Sequence, residues 1–213
     1  MFATKKWLIA ATLALVFSLV TQAPAVQYTF FNITNNGNTN VGGQLLVDVT
    51  ANGSQVDFKF TNNVGVASSI TDIYFDDGTL LGIASISGSG PGVAFMQPAT
   101  PAELPGANGA DPDFVTTDMF SADSDSPPAP NGVNSSSEWV TITFDLQGGQ
   151  VFGDTIDALA SGELRIGLHV QAIGTTGGSD SYVNDPTPVP VPAAAGLGAL
   201  GLLVVGWARK RLA

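Results

Sequence analysis

Apolar and polar residues alternate with a period of two over much of the chain. That is the signature of strands with one buried face. In "GQLLVDVTANGSQVDFKFTN", Leu45, Val47 and Val49 share one face, and after Asn52-Gly53 so do Val56, Phe58 and Phe60. Two alternating runs around Asn-Gly predict a β-hairpin. "EWVTITFDL" aligns Val140, Ile142, Phe144 and Leu146, and "ELRIGLHVQAI" aligns Leu164, Ile166, Leu168 and Val170. "YTFFNIT", "SSITDIYFDDGTLLGIASIS" and "GVAFMQ" supply shorter strands, with Asp76-Asp77-Gly78 as a turn. One short helix is predicted at "DTIDALAS", with Asp154 as its N-cap. Many short strands with almost no helix predict an all-β fold: an antiparallel β-sandwich, jelly-roll-like.

Two stretches break the alternation. Residues 97–137 are rich in Pro, Gly, Asp and Ser. They predict a long acidic surface loop region with one ordered piece around "DFVTTDMF". Residues 179–188, within "GTTGGSDSYVNDPTP", predict a linker that closes a sandwich domain spanning 26–178.

The two ends follow another pattern. Lys5 and Lys6 precede "LIAATLALVFSLV", an apolar run of 13 residues, and Ala23-Pro24-Ala25 follows. This order of charge, apolar run and small residues is that of a secretory signal peptide over residues 1–25. A spanning helix needs about 20 residues. Cleavage is expected after Ala25 rather than Ala23, since Pro24 would follow the earlier cut. At the other end Val189–Ala208 is 20 residues without charge. As a helix that run measures about 30 Å, the depth of a bilayer's hydrocarbon core. Pro188, Pro190 and Pro192 sit at or before its start, where they do not break the helix interior. Trp207 suits the interface, and Arg209, Lys210 and Arg211 form a basic stop on the cytoplasmic side. The expectation is a translocated body with a C-terminal single transmembrane helix.

Pro-x-Pro, a short apolar helix and a terminal basic cluster together resemble the PEP-CTERM protein-sorting tail, over residues 189–213. Val189, Pro190, Val191 and Pro192 match the motif, with Val191 where the name-giving version has Glu; "VPVPAAA" looks like the Val-Pro-x-Pro-Ala variant. "SSITDIYFDDG", "SADSDSPPAPNGV", "FDLQGGQ" and "LRIGLHVQ" are similar to the body of one uncharacterised type of such protein. The resemblance implies a Gram-negative bacterium that makes exopolysaccharide. It further implies export by the secretion machinery and anchoring in the inner membrane by the C-terminal helix. Processing would be by an exosortase, a membrane-embedded cysteine protease-transpeptidase. The final location would be the cell envelope, outer surface or extracellular matrix, with extracellular polysaccharide as a partner. No activity is implied for the body.

Charge narrows the partners. All 18 acidic residues lie between the two ends, against only Lys59 and Arg165, for a net charge of −16. Nucleic acid is excluded as a partner, because little in this body can neutralise phosphates. There is no cysteine, so disulfides, zinc-thiolate sites and cysteine nucleophiles are absent.

Candidate chemistry is sparse. Asp111, Asp113, Asp123 and Asp125 crowd the long loop. Oxygen-rich loops can hold calcium, although these match no EF-hand spacing and Asp also favours turns. A calcium-dependent carbohydrate-binding module is the alternative function, and a secreted hydrolase ranks last. His169 is the one histidine and shares a face with Arg165; no Gly-x-Ser-x-Gly elbow accompanies it. Trp139 falls on the face opposite Val140 and Ile142. The expectation is a non-enzymatic structural or interaction protein with no required cofactor.

Overall fold

A computed structural model describes residues 25–190. The signal segment up to Pro24, the remainder of the apolar tail and the basic stop at Arg209, Lys210 and Arg211 lie outside them. The strands are β1 (Val26–Tyr28), β2 (Phe30–Asn32), β3 (Leu45–Asn52), β4 (Gln55–Asn62), β5 (Ser69–Asp76), β6 (Leu80–Gly88), β7 (Phe95–Met96), β8 (Ser121–Ser124), β9 (Trp139–Leu146), β10 (Arg165–Ile173) and β11 (Gly178–Asn184). The helices are α1 (Pro128–Asn131) and α2 (Phe152–Ser161). Every strand pairing is antiparallel, in a five-stranded sheet ordered β1-β3-β4-β9-β6 and a six-stranded sheet ordered β2-β11-β10-β5-β8-β7.

The predicted hairpin is β3–β4, registered from Leu45↔Asn62 to Asn52↔Gln55. Its loop is Gly53-Ser54, one residue later than Asn52-Gly53, and Gly53 supplies the positive φ of +64° that such a turn needs. The alternating residues of β3, β4, β9 and β10 all point inward, and both sheets contribute to one core. Phe75 of β5 stands edge-on to Phe58 and Phe144 of the opposite sheet, at 5.2 and 4.6 Å between ring centroids. These edge-to-face contacts join the two layers.

Three expectations are corrected. Residues 179–188 are not a linker. Most of that stretch is β11, which lies between β10 and β2. Tyr182 enters the main core while Val183 is covered on the other face, so burial on both sides hides the alternation. Second, α2 starts at Phe152, whose side chain packs on the core. Asp154 therefore sits within the first turn, where its carboxylate accepts the Val151 N–H at 2.8 Å. Gly162, at φ +80°, ends the helix in the left-handed conformation. Third, the 97–137 region is not merely a surface loop. Ala99, Leu104, Ala110 and Phe114 fold back on Tyr74 and Val183 and form a second small core on the outer face of the six-stranded sheet. β8, at Ser121–Ser124, is an ordered strand in the same region, just past "DFVTTDMF".

Gly167 makes room for this return. A Cβ there would lie 2.8 Å from Leu104 Cδ2 and 3.0 Å from Phe114 Cζ. Arg165 ties it down. Its guanidinium pairs with Asp76, donates to the carbonyls of Pro112 and Asp113 at 2.6 Å each, and lies 5.3 Å from the Phe114 ring centroid.

Candidate functional site

The outer face of the six-stranded sheet carries the main gathering of polar side chains. Register sets Asp123 of β8 beside Asp72 of β5, Asp72 beside His169 of β10, and His169 beside Ser181 of β11. Their inward neighbours Ala122, Ile73, Leu168 and Tyr182 belong to the main core, so pleating turns this row outward. At His169 the pairing of β5 and β10 slips by one, with His169↔Asp72 followed by Val170↔Ile70. Thr71 is the extra residue, a β-bulge of the kind that re-aims side chains. Its hydroxyl donates to Asp72 Oδ2 at 2.7 Å. The same oxygen lies 2.9 Å from His169 Nδ1.

The returning chain borders the row. Thr100 donates its N–H to Asp123 Oδ2 at 3.1 Å, and Tyr74 donates its hydroxyl to the Pro101 carbonyl at 3.1 Å. Burial, reinforced by the charges of Asp72, Asp123 and Glu103, holds the Tyr74 hydroxyl far above its ordinary pKa, so it stays a neutral donor. Burial also raises Asp123 and outweighs the backbone bond from Thr100. Ser181 completes a Ser–His–Asp order across three strands. Its Oγ is buried with no hydrogen-bond partner, so His169 does not engage it. A charge relay needs that contact and an accessible nucleophile.

The four aspartates expected around calcium are not brought together. Asp123 lies in the row. Asp125 follows β8 with its N–H on the Ala94 carbonyl and its own carbonyl on Asn131. Asp111 and Asp113 flank Pro112 beside Arg165, where Asp113 contributes a main-chain oxygen. Among the described residues no three His, Asp or Glu side chains gather so as to hold a metal ion.

Asp111 instead borders a half-open cavity of about 290 Å³, lined also by Phe31, Pro112, Leu159, Arg165 and Asn184. Two of its polar side chains are committed internally: Arg165 as above, and Asn184, whose Oδ1 accepts the Ile166 N–H at 2.7 Å. On the far side of the molecule, Trp139 faces outward as expected, with Lys59 Nζ 5.0 Å from its ring centroid. Elsewhere on the five-stranded sheet run polar cross-strand pairs such as Gln27–Asp48 and Gln55–Asp145, each at 2.8 Å.

A feature with no sequence signal joins the two ends of the body. Val189 donates its N–H to the Gln27 carbonyl at 2.8 Å, as an antiparallel bridge on the outer edge of β1. Thus Ala25 and Val189–Pro190, the inner limits of the predicted cleavage and sorting signals, adjoin. Val191, Pro192 and Ala23 lie outside the described residues. Among the described residues no helix is long and apolar enough to cross a membrane.

No known protein-family model matches this chain, and neither a curated protein nor a solved structure is significantly similar to it.

Proposed function

We propose that this chain is an exported, sorted surface or matrix protein of the PEP-CTERM type. The leader takes it across the membrane and the apolar tail holds it there. An exosortase-like protease then cuts near Pro190–Pro192, passing the acyl end to water or to an amine, and the body joins the envelope or the extracellular polysaccharide. The observation that carries the reading is the tripartite tail: Pro-x-Pro, an uncharged run ending at Ala208, and Arg209-Lys210-Arg211, paired with a leader at the other end. The bond between Gln27 and Val189 suits it, because the residues next to the leader and to the tail then lie at one edge of the body. A net charge of −16 on the body suits solubility outside the cell. The jelly-roll-like form is supported by β4, β5 and β6, and again β8, β9 and β10, stepping from one sheet to the other. In this reading the body acts as a structural or interaction domain rather than as an enzyme.

The test is the intact mass of the mature protein in membrane and medium fractions of its native host. A mass lacking residues 1–25 and the chain beyond about Pro192 is expected. A mass that keeps Arg209–Arg211 in every fraction overturns the sorting step and leaves a membrane-anchored surface protein.

A further inference from the structure

We infer that β1 is a clasp on the sorting motif and limits how readily the processing protease reaches it; this rests on the sorting reading above. β1 is itself firmly held. Tyr28 is fully buried, Val26 packs on the core, and the strand pairs with β3 at Val26↔Val49, Gln27↔Asp48 and Tyr28↔Val47. Its outer edge holds the exit of the chain. The Thr29 carbonyl accepts the Asp185 N–H and the Gln27 carbonyl accepts the Val189 N–H, both at 2.8 Å. Between these bonds Asp185 Oδ1 accepts the Thr187 N–H at 2.8 Å and folds Pro186-Thr187-Pro188 into a short arc. Upstream, Val183 and Asn184 pair with Phe31 and Phe30. The chain is therefore attached to the body up to Val189, and no free spacer separates the body from Pro190.

A protease that recognises an extended peptide needs main-chain groups on both sides of the bond it cuts. Here the residues on the amino side are already paired within the body. Cutting follows opening of the clasp. Pro186 and Pro188 have no N–H to add, so the clasp consists of the two bonds from Asp185 and Val189. Two net backbone hydrogen bonds correspond to about a 5- to 150-fold bias toward the closed form. Gln27 lies two residues beyond the predicted leader cut at Ala25. The new amino end left by leader removal thus restrains the tail.

The test uses the full-length chain in its native host, with tail removal followed by intact mass after a pulse label. Gln27 and Val189 are bridge partners, and antiparallel partners have the Cα spacing a disulfide requires. The chain has no other cysteine, so a Gln27→Cys/Val189→Cys double variant forms one defined cross-link. The oxidised variant is expected to lose its tail at least about tenfold more slowly than wild type. Reductant is expected to restore the rate. A Gly-Ser-Gly-Ser insertion after Pro188, which leaves Val189–Pro192 intact, is expected to speed removal about fivefold or more. If the cross-linked form is cut at the wild-type rate, the clasp is overturned and sorting stands. If the wild-type tail is never cut, sorting fails and the clasp with it.

Discussion

Arg165 should decide whether the long acidic region stays on the sheet. Replacing it by Met keeps the aliphatic stem and removes the guanidinium fork. The loss includes the pair with Asp76 and the donors to the Pro112 and Asp113 carbonyls. Hydrogen bonds to charged groups contribute about 1.5–3 kcal/mol each. Their sum is not the expected effect, because the Arg165 and Asp76 side chains keep 14% and 24% of their exposure and water replaces part of what is lost. An overall cost of about 2–3 kcal/mol follows. In a domain of this size that lowers the melting temperature by roughly 5–10 °C. The damage should be local first. Amide exchange should accelerate between Leu104 and Phe114, the segment pinned by the fork and by the void over Gly167, before β10 is affected. Arg165→Lys should restore only part of the loss, because an ammonium cannot reproduce a planar fork with several fixed donors. A melting temperature within about 1 °C of wild type would refute this account. So would exchange that rises evenly through the fold.

Two further outcomes follow. Phe75→Ala removes the ring at the centre of the layer contact and should cost about 3–5 kcal/mol in urea unfolding; a loss under about 1 kcal/mol would mean the sheets do not depend on that contact. Asp180 is pushed up by burial but pulled down further by bonds from the Asn36 N–H, Asn38 and Thr34, so its carboxyl lies below the ordinary range. A lowered folded value gives stability that is present above the unfolded carboxylate pKa and disappears as pH falls from about 4 through the folded value. Asp180→Asn should therefore flatten the acid limb of the urea midpoint against pH, and an unchanged limb would count against the hydrogen-bond account.

The elements legible in the sequence are those with one covered face. β3, β4 and β9 keep polar residues outward, so their alternation survives and their inward residues can be named. β5 is buried along nearly its whole length because the returning chain covers its outer side, and its pattern shows no clean period. β11 fails as a signal for the same reason, with Tyr182 and Val183 buried on opposite faces among Gly, Ser and Asp. The second core rests on isolated residues, Leu104 and Phe114, separated by loop composition and brought together only by tertiary packing. His169 and Arg165 could be assigned to one face from spacing. Their partners Asp72 and Asp76 come from a strand roughly ninety residues earlier in the chain, and only the β5–β10 register identifies them. The four loop aspartates looked alike in sequence, yet the fold divides them, with Asp111 and Asp113 beside Arg165 and Asp123 and Asp125 at β8.

β11 lies between β10 and β2, and among the described residues β2 has no other neighbour in its sheet. The first strand of that sheet therefore waits for the last. Until Gly178–Asn184 has been synthesised, Phe30–Asn32 has nothing to pair with and the six-stranded layer cannot close. Such end-to-end pairing is slow to form, since a long loop must be closed before any contact rewards it. The outer end of the six-stranded layer is thus set late, by one of the last segments of the described body, while the five-stranded layer needs no strand beyond β9.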